Sequence, residues 1–318
     1  VITPIRLRPS GFPVERSVSG RLTSDTERGT PRQAVTIDLP AEAYAGTVDA
    51  RVELFPSPIA SALGGLEGML AKPGGCFEQT SSRNFPNVMV LRWLQSTGKP
   101  APQIEARAQE MLAVGYRRLA GYESPSGGFD WWGRDPAHTS LTAYGVLQFT
   151  QMAKVYDVDP AIIARTTDWL FSRQDEDGYF TQPTRHLHTW VGEGERARLV
   201  NTAYVAWALT EADVRAEDLG ATLEVLLEQS HASEDPYVLA LIGLALQNVE
   251  RTEEAARIAE TLAAMQAEDG ALPTLADGQS VVCSRGTNLA IETTALASML
   301  WTRQAAAHEA GADHAGAA

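Results

Sequence analysis

A glycine turn followed by a helix of small residues recurs along most of this chain, and this repeat constrains the fold more than any other feature. The copies are Ser126–Phe129 before Leu141–Tyr144, Glu176–Phe180 before Asn201–Tyr204, and Glu268–Leu272 before Glu292–Leu296. Helical hairpins repeated in this way bury their apolar faces against neighbouring copies. The repeat therefore predicts either an open solenoid of hairpins or a closed ring, and periodicity alone does not choose between them.

Apolar residues recur at helical spacing from residue 57 onward. The predicted helices cover residues 87–94, 104–119, 141–155, 161–171, 202–210, 219–227, 237–246, 252–265 and 290–301. Residues 1–55 differ, because polar and apolar residues alternate at 5–8, 34–39 and 48–54, which predicts short β-strands. So few strands seldom fold alone, and we expect them to complete a β-domain whose other strands lie elsewhere.

Composition excludes several classes of protein. The net charge of −14 disfavours nucleic acid and anionic membrane surfaces as partners. No apolar run approaches the roughly 18 residues that a membrane-spanning helix needs.

The chain opens at Val1 without an initiator methionine or a signal segment, and we expect it to be cut from a longer polypeptide. Its two cysteines, Cys76 and Cys283, are too few for a disulfide framework, and Cys283 is expected to be structural rather than a disulfide partner of Cys76.

The segment Pro73–Thr80 is the candidate for reactive chemistry in this sequence. Cys76 follows two glycines and opens a predicted helix, whose N-terminus favours a thiolate over a thiol. Gln79 lies one helical turn further on, where its side-chain carbonyl can reach the Cys76 sulfur. Attack of the thiolate on that amide would expel ammonia and leave an internal thioester. From these residues alone, a buried cysteine beside a helix cap is an equally good interpretation.

Residues 73–79 resemble the thioester motif of the alpha-2-macroglobulin and complement family, Pro-x-Gly-Cys-x-Glu-Gln. The similarity continues through Phe85–Leu91 and Leu94–Gly98, and it includes Pro9–Pro13 and Ser17–Gly20. It implies a mainly α fold, with an α/α toroid of helical hairpins over residues 56–303. It also implies a short β segment, part of a CUB-like domain, over residues 1–55. The last residues, 304–318, are rich in alanine with scattered charges and glycine, which predicts a flexible tail.

The resemblance also implies roles for individual residues. The thioester would join Cys76 to Gln79, and the supporting motif residues would be Gly74, Gly75, Phe77 and Glu78. Phe77 replaces a glycine of the familiar animal proteins, a position that varies in bacterial relatives, so we expect a bacterial member. The final Gly-x-Gly-Ser-Thr-Gln-Ala hairpin of the family has no match before Ala318, and the predicted toroid is therefore one hairpin short.

In complement-type members, a histidine after an Asp-Gly-x-Phe turn promotes acyl transfer to hydroxyls. His188 lies 10 residues after Gly178 and takes this position, with His186 as the alternative. The pair has no third ligand at zinc spacing, and we predict no metal. The tryptophans predicted to shield the thioester from water are Trp131, Trp132 and Trp190, although ordinary core packing explains any one of them equally well.

These features predict a thioester domain that traps proteases or tags surfaces by acyl transfer to their amines or hydroxyls. Such a domain reacts once, needs no cofactor, works with the rest of its parent chain, and lies in an extracellular or periplasmic compartment. One alternative is an α/α-toroid enzyme, terpene-cyclase-like or carbohydrate-active, which would need an acidic cluster or a carboxylate pair that the sequence does not show. Another is a binding module without a thioester, against which the presence of both Cys76 and Gln79 argues.

Overall fold

The structure is a computed structural model that describes residues 11–12, 14–18, 20, 34–44, 46–55, 65–98, 100–181 and 194–315, with side chains described as far as residue 307. It divides the chain into two compact units, Val1–Ser61 and Ala62–Ala318. The units do not test the predicted domain limits at residues 55 and 303, which stay a prediction.

The predicted strands at 34–39 and 48–54 are not formed in the first unit. Both stretches lack regular secondary structure, and their apolar side chains are exposed, as for Val52 at 82%. Alternation describes which side chains share a face, but a strand also needs a neighbour to complete its hydrogen-bond ladder. Among the described residues of this unit no strand supplies that ladder. The predicted strand at 5–8 lies outside the described residues.

The second unit is helical. After a short helical stretch at 65–69 come α1 (Phe77–Thr97), α2 (Pro102–Ala120), α3 (Thr139–Ala153), α4 (Pro160–Phe171), α5 (Glu195–Glu211), α6 (Gly220–Ala232), α7 (Pro236–Asn248), α8 (Thr252–Met265) and α9 (Gly286–Ala315). All the helices predicted from apolar periodicity are present. Helix α9 continues through residue 304 as far as Ala315, in keeping with the high helix propensity of its alanines, and the flexibility expected of residues 304–318 stays a prediction.

The helices pack in two layers. Helices α1, α3, α5, α7 and α9 contact one another in that order and form the inner layer. Helix α2 lies against α1 and α4 lies against α3, whereas α6 and α8 each lie against both inner helices that flank them in sequence. Helices α3 and α7 are buried on nearly every side, whereas α2 and α8 bury one face only. This arrangement is an α/α toroid of helical hairpins, and it confirms the predicted fold class.

The sequence repeat is a structural repeat. In each copy the loop residue two positions after the glycine donates its N–H to a threonine hydroxyl in the next inner helix. The pairs are Phe129 with Thr142 at 2.8 Å, Phe180 with Thr202 at 3.0 Å, and Leu272 with Thr294 at 2.9 Å. Each loop is thus fastened to the inner layer at the same place.

One carboxylate, that of Glu211 at the C-terminal end of α5, is bonded to side chains of other inner helices. Glu211 of α5 accepts hydrogen bonds from Arg303 of α9 at 2.6 Å and from Asn248 of α7 at 3.0 Å. Gln151 of α3 donates to it at 3.4 Å and itself accepts from Arg92 of α1. Burial alone would raise the pKa of Glu211, but the hydrogen bonds from Arg303 and Asn248 outweigh burial and lower it. The ionised carboxylate therefore links α5 to α3, α7 and α9, and Gln151 extends this network to α1.

Candidate functional site

Cys76 is the N-cap residue of α1, and its side chain is buried, with 7% exposed. It forms a capping box with Gln79, the third residue of the helix: the sulfur accepts from the Gln79 N–H, and the Gln79 side chain accepts from the Cys76 N–H. The distance from the Cys76 nitrogen to Gln79 Oε1 is 3.3 Å. The carboxamide of Gln79 is therefore folded back over the start of the helix, on the side of Cys76.

Gly75 makes room for this folded-back side chain. A Cβ on Gly75 would lie 2.1 Å from Gln79 Oε1 and 3.0 Å from Gln79 Cδ. The backbone of Gly75 also has a φ of +93°, which L side chains rarely adopt. A Cβ on Gly74 would meet nothing within 4 Å. Of the two adjacent glycines in the motif, the geometry thus requires only Gly75.

The carbonyl oxygen of Gly75 accepts hydrogen bonds from three side chains: a long one from the Thr80 hydroxyl in α1 at 3.4 Å, and two shorter ones from the end of α2 and the residues after it. The Tyr122 hydroxyl donates to it at 2.6 Å, and Arg118 Nη2 donates to it at 3.0 Å. Arg118 also donates to the Tyr122 oxygen at 3.1 Å. These residues are more than forty positions from Gly75, and no local pattern in the sequence indicates that they reach it.

Phe77 anchors the first turn of α1 in the core. Its ring is fully buried, stacks on Phe129 with the ring centres 4.7 Å apart, and meets the ring of Tyr122 edge-on at 6.3 Å. Because Phe77 lies in the first turn, its N–H has no acceptor within the helix, and it donates instead to the backbone oxygen of Trp131 at 2.9 Å. A bulky side chain at this motif position is therefore used as an anchor.

Of the tryptophans predicted to shield the site, Trp131 lies beside it. Trp131 is buried, and its indole N–H donates to Glu78 Oε2 at 3.3 Å, so that it covers the first turn of α1. Trp132 is 63% exposed. Trp190, His186 and His188 lie outside the described residues.

Burial and the nearby carboxylate of Glu78 raise the pKa of Tyr144 to about 12. Burial also raises the pKa values of Tyr204 and Tyr237 well above the ordinary value for tyrosine. These phenols therefore stay protonated at neutral pH. Tyr144, Tyr204 and Tyr237 therefore present uncharged hydroxyls, and none of the three is a phenolate that could act as a base at neutral pH.

No disulfide joins Cys76 to Cys283; Cys76 is buried and Cys283 is exposed. Among residues 65–98, 100–181 and 194–307, no group of three histidine, cysteine or acidic side chains is placed to hold a metal. Within the same described part, no helix has the length and apolarity needed to cross a bilayer.

A helical toroid with a Cys-x-x-Gln turn at the start of an inner helix is the architecture of a thioester-containing domain. The family profile of the A-macroglobulin TED domain matches residues 49–310. Because this match covers most of the chain, the chain belongs to that family, the thioester-containing domains of the alpha-2-macroglobulin and complement proteins.

The curated relatives that this chain matches are named thioester-containing proteins. Thioester-containing protein 1, allele R1, of Anopheles gambiae is 27% identical over 217 residues, which are 67% of this chain and 16% of the relative. Allele S3 is 31% identical over 180 residues, which are 56% of this chain and 13% of the relative. The chain thus spans less than a fifth of the length of these relatives. Both come from a mosquito, and the expected bacterial source stays a prediction.

Proposed function

We propose that this chain is the reactive domain of a macroglobulin-like protein, in which Cys76 Sγ and Gln79 Cδ are joined as an internal thioester. The observation that carries the proposal is the hydrogen bond between the Cys76 N–H and Gln79 Oε1 at 3.3 Å. It holds the carboxamide at the end of the turn where the sulfur lies. Membership of the thioester-containing family supports the same pairing.

The chemistry proceeds in two acyl transfers. The Cys76 thiolate attacks Gln79 Cδ, the C–N bond breaks, and the amide nitrogen leaves as ammonia with the proton that the thiol gave up. An incoming amine or hydroxyl then attacks the same carbon, the C–S bond breaks, and the nucleophile's proton passes to the released thiolate. The nucleophile stays bound to the Gln79 acyl group. Because that group is consumed, the domain reacts once.

The nucleophiles that such a domain meets define its role. A protease presents lysine amines, and a cell surface presents amines and sugar hydroxyls, so transfer would trap the protease or tag the surface covalently. We propose that the rest of a parent chain keeps the thioester latent, and that the protein acts in an extracellular or periplasmic compartment. Burial of Cys76 and the cover provided by Trp131 support the protection from water that latency requires.

Intact mass and thiol titration test the bond directly. Protein prepared without added nucleophiles is expected to weigh one ammonia less than its sequence predicts and to show only the Cys283 thiol after denaturation. Methylamine is expected to add to Gln79 and to release the Cys76 thiol. Full sequence mass together with two titratable thiols before methylamine would contradict the proposal and favour a binding module without a thioester.

We further propose that His188, with His186 as the alternative, transfers the acyl group to hydroxyls. The proposal rests on family resemblance and sequence position. Replacement His188→Asn is expected to suppress transfer to glycerol while leaving transfer to methylamine largely intact, because an amine attacks a thioester without help. In the unsubstituted protein, transfer to glycerol is expected to fade below about pH 6.5, since imidazole attacks only when neutral.

The measurement is the ratio of glycerol to methylamine adducts by mass spectrometry, with His186→Asn as the matched control. If the ratio falls only in His186→Asn, the role belongs to His186. A ratio unchanged in both variants would leave an amine-selective trap and refute the histidine mechanism.

A further inference from the structure

We infer that the backbone N–H of Cys76 is the oxyanion donor for reactions at Gln79 Cδ, and that Tyr122 and Arg118 strengthen it through the Gly75 carbonyl. The inference rests on the proposed thioester and deepens it. Cys76 N–H touches the reacting carbonyl oxygen. Tyr122 and Arg118 act through the peptide group and are positioning residues.

The geometry connects these groups in a line. The Gly75 carbonyl and the Cys76 N–H belong to one peptide group. At one end the oxygen accepts from the Tyr122 hydroxyl at 2.6 Å, from Arg118 Nη2 at 3.0 Å and, at the longer distance of 3.4 Å, from the Thr80 hydroxyl. At the other end the N–H donates to Gln79 Oε1 at 3.3 Å. Since a peptide group is conjugated, hydrogen bonds that draw electron density toward its oxygen make its N–H a stronger donor.

This donor points at the atom where charge develops. When the Cys76 sulfur or an incoming amine attacks Gln79 Cδ, the carbonyl electron pair moves onto Oε1. The Cys76 N–H stabilises that negative charge until the pair returns and ammonia, or the Cys76 thiolate, departs. Both transfers pass through the same carbon and the same oxygen. One backbone donor therefore serves formation of the thioester and its opening.

A purely structural role for Tyr122 predicts a change of the opposite sign in the rate at which the thioester reacts. If its hydroxyl only held the turn in place, its loss would loosen the turn, admit water and speed spontaneous hydrolysis. If the hydroxyl polarises the peptide, its loss slows every attack at Gln79 Cδ. Tyr122→Phe separates the two roles, because it removes the hydroxyl and keeps the edge-on ring contact with Phe77.

The experiment measures the rate at which methylamine releases the Cys76 thiol in the whole chain. Tyr122→Phe is expected to react about threefold to tenfold more slowly, a fraction of the hundredfold or larger loss typical of removing a direct oxyanion donor. Arg118→Met is expected to give a smaller decrease, because Arg118 is exposed and water screens its charge. The matched control is Tyr116→Phe in α2, because the Tyr116 hydroxyl accepts from the Asp159 N–H and does not touch Gly75. Its rate is expected to equal that of the unsubstituted protein.

A spectroscopic reading accompanies the rates. In protein labelled with ¹³C-glutamine, the infrared difference spectrum before and after methylamine isolates the thioester carbonyl. Its stretch is expected at higher frequency in Tyr122→Phe, because the hydrogen bond to the acyl oxygen is weaker. If Tyr122→Phe does not form the thioester, the methylamine rate and the carbonyl stretch are measured on Arg118→Met instead. A slower rate with a higher stretching frequency supports the inference, and an unchanged rate overturns it.

The outcomes distinguish this inference from the proposed function. A thioester in the unsubstituted protein that opens at the same rate, or hydrolyses faster, in Tyr122→Phe overturns the inference and leaves the proposed function standing. Absence of the thioester from the unsubstituted protein overturns both. Slower opening with a shifted carbonyl stretch, in Tyr122→Phe but not in Tyr116→Phe, is the expected result.

Discussion

Alanine in place of Gly75 is expected to reduce methylamine incorporation to the background of Cys76→Ala. A Cβ at this position would overlap Gln79 Oε1, 2.1 Å away, and would push the carboxamide from the start of α1. The φ of +93° adds strain. Strain of this kind costs on the order of 1–3 kcal/mol, which alone lowers the population of the folded turn by about fivefold or more. The measurement is intact mass before and after methylamine.

The neighbouring glycine is the matched control. A Cβ on Gly74 meets nothing within 4 Å, and Gly74→Ala is therefore expected to form the thioester as the unsubstituted protein does. Equal methylamine incorporation in Gly75→Ala and Gly74→Ala would show that the folded-back glutamine is not the reactive arrangement.

Removal of the Glu211 carboxylate is expected to give the largest loss of stability outside the reactive turn. Glu211→Ala leaves Arg303 and Asn248 without the acceptor that they share. Breaking a buried ion pair from one side costs about 3–5 kcal/mol, and the lower end applies here because Arg303 is partly exposed. The measurement is the free energy of unfolding in urea.

The control for Glu211 is a carboxylate in an exposed ion pair. Glu217 pairs with Arg215 where both side chains are largely exposed, and Glu217→Ala is expected to change stability by less than about 1 kcal/mol.

The pKa of Glu211 is lowered from 4.5, so the stability that it supplies is present above this value and is lost as pH falls through the lowered pKa. The difference between the unsubstituted protein and Glu211→Ala should therefore shrink below about pH 4.5. A difference that is small at pH 7, or unchanged at low pH, would contradict the assigned role.

The helical hairpins could be predicted because each loop repeats the same local chemistry. A glycine turn is followed by a residue that bonds to a threonine such as Thr142 or Thr202, and the helix between loops has an apolar period of its own. Whether residues 34–39 and 48–54 form strands could not be predicted in this way. Their alternation is local, but pairing depends on a neighbouring strand, and the described residues of that unit contain none.

By itself, the sequence determined the hairpin repeat and the pair of residues proposed to react. Cys76 and Gln79 are three positions apart, and the helical turn brings such residues to the same face regardless of what surrounds them. Only the tertiary structure decided which groups surround that pair: Tyr122 and Arg118 on the Gly75 carbonyl, and Trp131 on Glu78. These contacts join segments more than forty residues apart. They depend on how α1 packs against α2 and the loop before α3, and a contact set by packing leaves no period or spacing in the sequence.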